Sequence, residues 1–410
     1  MNTDIQDSNA NRGDHLSQAG APLPRRGNGG GSLFDDIRPF NPDELPAVFD
    51  RLLADRQFLS VLAYIYPGVP VEAIAAKMHS CTDNLDFQKK FCYGFLVKLL
   101  ESASTGCDMN AEALDTTRRY TFVSNHRDIV LDSALLDKLL IDARFDTTCE
   151  IAIGDNLLSL PWVKDLVRVN KSFIVERSLP PRQLLLASKK LSEYMHYAVA
   201  EKHENIWIAQ REGRAKDSDD RTQPAILKMM AMGGEGTVIE RLTALHIVPL
   251  AISYEFDPCD YLKAQEFQQK RDIEDFRKSK EDDVVSMRTG IMGYKGRIHY
   301  HCAPCIDDYL RSLDPAMPKG ELFDTVAAHI DAEIHRHYRL YPNNYIALDL
   351  LNGSHDHADR YTAEQEAAFE QYLAAQMKKI SLPHPDTDYL RERMLTMYAN
   401  PAKNQLASLG

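Results

Sequence analysis

"TFVSNHRDIVLDSALLDKLL", residues 121–140, joins two kinds of local order. Thr121 to Ser124 are β-branched, aromatic or small, as strands prefer. From Leu131 the apolar residues recur at three and four, which predicts a helix. Between them stand His126, Arg127 and Asp128, with Asp132 just inside the helical pattern. Ser, Asn and Asp at such a junction accept backbone N–H bonds and cap helices. A histidine beside a carboxylate is also the pattern of a general base with an orienting acid.

The same alternation continues outward. "CEIAIG", "KSFIVER", "NIWIAQ" and "HIVPLAISYE" read as strands, separated by helical stretches such as "LPPRQLLLASKKLSEYMHYAVAE". Strands alternating with helices predict an α/β layer, a central mixed sheet flanked by helices, over residues 118–258. Before it, 33–117 reads as an α-helical N-terminal region, with a cap signal at Asn41 and the amphipathic "LDFQKKFCYGFLVKLLESA". After it, 259–410 reads as a mainly helical C-terminal extension. Its first part, through "EDDVVSMRTGIMGY", has the pattern of one long charged helix, and "GRIHYHCAP" that of a further strand. Residues 1–32, ending "RRGNGGGS", bury too little apolar surface to offset ordering entropy and are expected to be disordered.

Composition excludes some classes. The 410-residue chain is 44% apolar, ordinary for a globular protein. No apolar run approaches the ~18–20 residues of a spanning helix, and no signal-peptide pattern opens the chain. A cytoplasmic location is the expectation. A formal charge of −12 argues against broad nucleic-acid binding. Seven scattered cysteines are no disulfide framework and suit a reducing compartment. There is no Gly-x-Ser-x-Gly elbow, P-loop or dinucleotide fingerprint.

Four segments in order resemble the glycerophosphate acyltransferase family. "NHRDIVLDSALL" is similar to its first block, where His-x4-Asp is usual. "NKSFIVER" (170–177) is similar to the second, "IWIAQREGRAKD" (206–217) to the third, and "IVPLAISYE" (247–255) to the fourth. Two departures stand out. Five residues, not four, separate His126 from Asp132, and Glu212-Gly213-Arg214 lacks the residue usual between Gly and Arg. On a continuous helix, at about 100° per residue, Asp132 would point away from His126. The pair can meet only if His126 stands in a loop and the helix starts later. Asp132 is the expected partner and Asp128 the competing one, which more naturally caps the helix or faces solvent.

The resemblance implies an acyltransferase. An acyl group would pass from a thioester, acyl-CoA or acyl carrier protein, to a hydroxyl of glycerol 3-phosphate or a lysophosphatidate, with no cofactor beyond the donor. His126 would take the hydroxyl proton, and Asp132 would fix its tautomer. Arg177, Arg211, Glu212, Gly213, Arg214 and Lys216 would bind the substrate, the cations at strand ends of one sheet edge holding the phosphate; either Arg214 keeps the family position and Glu212 shifts, or Arg211 and Lys216 share the role. Arg127 is a further basic residue beside the histidine. Backbone N–H groups after His126 are candidate oxyanion donors. Asn156 and Trp162 either line a substrate pocket or simply pack. Peripheral contact with the inner face of a membrane is implied, through amphipathic helices of the N- or C-terminal regions. Two other readings remain. One is a metal-dependent hydrolase using "HYHCAPC" (His299, His301, Cys302, Cys305) or "GSHDHADRY" (His355, Asp356, His357, Asp359). The other is a catalytically silent lipid-binding relative.

Overall fold

The computed structural model describes residues 33–410; the stretch 1–32 lies outside them. Among the described residues, seven strands form one sheet: β1 Gly106–Asn110, β2 Thr121–Ser124, β3 Cys149–Gly154, β4 Ser172–Val175, β5 Asn205–Ala209, β6 Ile247–Tyr254 and β7 Arg297–Cys302. Their order is β1-β7-β6-β2-β5-β3-β4. All neighbours are parallel except β6 and β7, so the sheet is mixed, as the alternation predicts.

Five helices precede the body of the sheet: α1 Leu45–Ala54, α2 Arg56–Ile65, α3 Val71–His79, α4 Asn84–Phe87 and α5 Tyr93–Ala103, the last two joined by a π-helical turn over Gln88–Cys92. Within the sheet follow α6 Leu131–Asp142, α7 Pro161–Val169, α8 Pro181–Ala200, α9 Pro224–Met230 and α10 Val238–Thr243. The rest are α11 Asp260–Asp272, α12 Lys280–Met292, α13 Asp307–Ser312, α14 Lys319–Arg336, α15 Pro342–Asn352, α16 Ala363–Met377 and α17 Thr387–Leu409.

Side chains alternate between the two faces of the sheet, as a strand's period of two requires. Val123, Ile206, Ile208 and Ile247 pack on one face with Leu191 and Tyr194 of α8 and Val326 and Ile330 of α14. Phe122, Trp207, Val248 and Ile252 pack on the other with Leu96 and Leu99 of α5 and Leu131, Leu135 and Leu136 of α6. The first helices gather a separate apolar cluster around Phe49, Leu52 and Phe87, closed by Val169 of α7. A fourth cluster joins Ala264 of α11 to α15, α16 and α17.

Two expectations are corrected. The stretch 33–117 is not helical throughout: β1 lies in it and pairs with β7 at the sheet edge. Its "GCDMN" sequence is polar and half exposed, so it lacks the apolar run that marks a strand. The long charged helix is two helices. Ser279 accepts from Asp282 N and is bonded in return by the Asp282 carboxylate, a capping box that starts α12 afresh.

Asn125, buried just after β2, ties that strand end to its neighbour. Its Nδ2 donates to Ile252 O at 2.9 Å, and its Oδ1 accepts from Ile252 N at 2.8 Å. Asn125→Ala leaves both Ile252 backbone groups buried without partners. The expected loss is about 3 kcal/mol in the free energy of urea unfolding. An unchanged urea midpoint would show that the clamp contributes nothing.

Candidate active site

The helix after β2 begins only at Leu131. His126 therefore stands in the preceding turn, which removes the angular objection to its spacing from Asp132. His126 Nδ1 lies 2.8 Å from Asp132 Oδ2. The same oxygen accepts from Arg127 N at 2.6 Å and Asp128 N at 3.0 Å. Asp132 has no exposed surface. An ionised carboxylate there accepts a proton-bearing Nδ1, which leaves the Nε2 lone pair of His126 for a substrate proton. The imidazole edge rests on Trp207, ring centroids 5.6 Å apart, and Trp207 Nε1 donates to Ser124 Oγ at 3.0 Å.

Asp128 does not compete for the histidine. Its Oδ1 accepts from Val130 N at 2.9 Å and Leu131 N at 2.8 Å, capping α6, and it is buried rather than facing solvent. Burial and the neighbouring Asp132 charge push its carboxyl above the usual range. The backbone of α12 packs on its other oxygen: a Cβ at Gly290 would lie 1.9 Å from Asp128 Oδ2. Tyr300 on β7 donates to Asp132 O at 2.9 Å. Trp207, Gly290 and Tyr300 carry no sequence signal that links them to His126.

The oxyanion expectation changes. The amides of Arg127, Asp128, Val130 and Leu131 are all spent on the two aspartates. An oxyanion is left with the other amides of this turn, such as Ile129 N, or with side-chain donors nearby.

The basic residues divide. The β2–β5 ladder runs one bond beyond the strands, Gln210 N to Ser124 O at 2.8 Å, so His126 and Arg211 leave the sheet side by side. Arg211 Nε and Arg214 Nη1 are buried and have no protein partner among the described residues. Arg214 sits against Cys259 and Lys263, and its charge acts on Asp128. Arg177 follows β4, lies over Gly154 and faces the exposed Glu212 at 3.8 Å. Gly213 holds a φ of 68°, a left-handed turn that favours glycine. Lys216 is drawn away: its ammonium pairs with Glu266 of α11, and burial lowers it to about 8. Arg127 is locked inside, 2.7 Å from Asp220 and against the Tyr338 ring. Asn156 is exposed beside Gly154, at the same edge as Arg177. Trp162 packs in the N-terminal cluster, and its Nε1 donates to Gln57 Oε1 at 3.1 Å.

The histidine-rich segments disperse. His299 pairs with Asp108, His301 stacks on His337 at 4.1 Å, and Cys302 is buried beside Met109. His357 bonds Asp349 at 2.8 Å, while His355, Asp356 and Asp359 are exposed. Among the described residues, the group whose possible ligand atoms come within 4.8 Å is His246, Cys305 and Asp307. It lies at the amino end of β6, opposite His126, and Arg118 approaches the same Asp307 oxygen at 3.5 Å.

Beside α6 lies a cavity of about 280 Å³ with an overwhelmingly apolar wall. Phe58, Phe91 and Leu96 come from the N-terminal helices, Val130 and Leu131 from the start of α6, and Ile291 from α12. Its size is near the lower end of the ~300–1,000 Å³ common for ligand pockets.

A buried acid–imidazole pair at the carboxyl edge of an α/β sheet, with arginines after neighbouring strands, is chemically able to support base-assisted group transfer. Residues 107–253 match the Acyltransferase family model, a likeness that supports an acyltransferase domain in this α/β core. Among solved structures, the chain is similar to 1-acyl-sn-glycerophosphate (LPA) acyltransferase, PlsC, from Thermotoga maritima, at 11% identity over 71% of this chain and 95% of that one. The TM-score is 0.34, a likeness too slight to bear weight. No curated protein matches the sequence.

Asp137, also in the cavity wall, accepts from Gln88 Nε2 at 3.0 Å and Cys149 N at 2.8 Å. Burial pushes it up to about 7, against ~3.9 in an unfolded chain. Between those values the folded protein keeps a proton that the unfolded chain has lost. Stability is therefore highest at the acid side of the window and declines as pH rises through it. The wild type should lose more urea resistance than Asp137→Asn between about pH 5 and about pH 7. Equal slopes for the two proteins would contradict this.

Proposed function

We propose that this acyltransferase moves a fatty acyl group from acyl-CoA or acyl carrier protein to a hydroxyl of glycerol 3-phosphate or a lysophosphatidate. The observation that carries the reading is the His126–Asp132 pair, 2.8 Å apart with Nδ1 engaged. His126 Nε2 takes the hydroxyl proton as the oxygen attacks the thioester carbonyl. Asp132 holds the tautomer and offsets the imidazolium charge that forms. The tetrahedral intermediate expels the thiolate, and the imidazolium returns a proton to it as a thiol. No covalent enzyme intermediate is needed.

Arg177, Arg211 and Arg214 hold the acceptor phosphate. Guanidinium nitrogens without protein acceptors suit a bidentate anion, and two of these three residues have such a nitrogen. The cavity beside α6 takes the acyl chain. Its wall begins at Val130 and Leu131, the residues just before Asp132, and its lining is apolar. Burying methylenes there is favourable by about 0.8 kcal/mol each.

Thiol release from acyl-CoA, measured with a panel of hydroxyl acceptors, tests the reaction. His126→Ala should lower the rate on the order of 10²-fold or more. Asp132→Asn, which allows the wrong tautomer, should fall on the order of 10²- to 10⁴-fold. Rates equal to wild type would remove the proposal, and abolition by a chelator would favour a metal-dependent hydrolase instead. Ala134, in the cavity wall, tests the acyl site. Ala134→Phe should shift preference toward shorter acyl chains; an unchanged chain-length profile would put the acyl chain elsewhere.

A further inference from the structure

The first turn of α8 is an apolar tip that the body of the protein does not cover. Pro181 to Leu186 are all exposed, and Leu184, Leu185 and Leu186 keep 37%, 62% and 65% of their surface open. Three consecutive residues span about 200° of a helix, so no single neighbouring surface can cover them. From Leu191 onward the same helix packs on the sheet around Leu191, Tyr194 and Met195. The tip is thus a projection of a well-seated helix.

Its place is specific. α8 follows β4, which runs parallel to β3, and β2, β5 and β3 are likewise parallel. Its start therefore lies at the carboxyl edge that carries His126. Arg177, at the same edge, is four residues before Pro181. Leu160, in the loop after β3 at this edge, is 41% exposed as well.

The backbone chemistry of the tip points to hydrocarbon rather than water. A helix normally begins with unsatisfied N–H groups, each costly to place in lipid. Here Pro180 and Pro181 have no N–H to satisfy. Gln183 N and Leu184 N both donate to Pro180 O at 2.9 Å. Within this turn the Arg182 amide, next to Pro181, has no intrahelical partner of this kind. The charge pattern agrees. Although the chain carries −12 overall, residues 177–192 contain Arg177, Arg182, Lys189 and Lys190 and no acid. Lys190 is paired with Asp36, Lys189 lies 3.6 Å from Glu193 and Arg177 faces Glu212 at 3.8 Å, so the excess is local, compensated at three of the four cations and left open at Arg182. Such a patch reaches an anionic surface only at short range, within ~8 Å in cell-like salt.

We infer that the leucine tip of α8 inserts into the interfacial region of an anionic lipid bilayer and brings the His126 edge of the sheet against the membrane. This deepens the proposed function and rests on it, because a lysophospholipid acceptor and a long-chain product reside in that bilayer. The docking element differs from the sequence expectation: it belongs to the α/β core, not to the N- or C-terminal helical regions.

Flotation of the full chain with lipid vesicles tests the surface. Wild type should float with phosphatidylcholine vesicles containing about a third phosphatidylglycerol, and less with phosphatidylcholine alone. The triple variant Leu184→Ser, Leu185→Ser, Leu186→Ser should partition roughly tenfold more weakly or worse, while keeping wild-type thiol release from a short-chain, water-soluble thioester. Leu185→Trp keeps the tip apolar. Its emission should move to the blue with vesicles and be quenched by brominated acyl chains. Failure of wild type to float, equal flotation of the triple variant, or a Leu185→Trp emission unmoved by vesicles would overturn the inference. So would concentration-dependent self-association, abolished by the triple variant, in place of vesicle binding. Flotation is read without turnover: inactivity in the thiol assay bears on the reaction, and loss of flotation bears on this surface.

Discussion

One buried carboxylate oxygen organises the catalytic edge. Asp132 Oδ2 accepts from an imidazole nitrogen and two consecutive backbone amides. Charge-assisted bonds of this kind are about twice as strong as neutral ones, and three on one oxygen leave the turn little freedom. That turn is 126–130, and its shape decides where the His126 ring points. The surrounding contacts all serve it. Asn125 fastens its start to β6, Asp128 caps the helix that carries Asp132, and Tyr300 holds the Asp132 carbonyl. Gly290 lets α12 close directly over Asp128. The five-residue spacing works because the turn, not helical periodicity, sets the distance.

The price of this arrangement is that the amides of Arg127, Asp128, Val130 and Leu131 are consumed. Donors usually available at a helix start are committed to Asp128 and Asp132. In the proposed function, positive character for an anionic substrate comes from side chains after β4 and β5 instead. Arg211 and Arg214 retain buried N–H groups without protein acceptors, while Lys216 is neutralised by Glu266. The two sides of the site thus have separate tasks. In the proposed reaction the β2–α6 turn handles the proton, and the ends of β4 and β5 handle charge. The apolar cavity reaches the same turn at Val130, between α6 and the N-terminal helices.

The parts legible in the sequence were those with local signals. Strands β2 to β6 are short apolar runs bounded by turn residues, and each forms where its run lies. The histidine and Asp132 were legible as types at a strand–helix junction, although the longer spacing hid how they meet. β1 was hidden because an edge strand with alternating exposure needs no apolar run. The break between α11 and α12 was hidden because charged residues suit helix and loop alike, and Ser279 alone marks the restart. Gly290 and Tyr300 were out of reach for another reason: Tyr300 bonds a residue 168 positions away, and no local pattern encodes such a contact. The leucines of α8 fit a helical pattern; only the fold reveals that the first turn outruns the surface meant to cover it.

The central claim is that Asp132 fixes the proton on Nδ1 of His126 and leaves Nε2 bare to act as base. Nitrogen NMR of protein labelled with ¹⁵N-histidine reads this directly, with the His126 signals assigned by their loss in His126→Gln. In the neutral ring the account predicts a protonated Nδ1 and an unprotonated Nε2, with the preference weakened in Asp132→Asn. A ring that carries its proton on Nε2 in the wild type would set two acceptors against each other across 2.8 Å and would contradict the account.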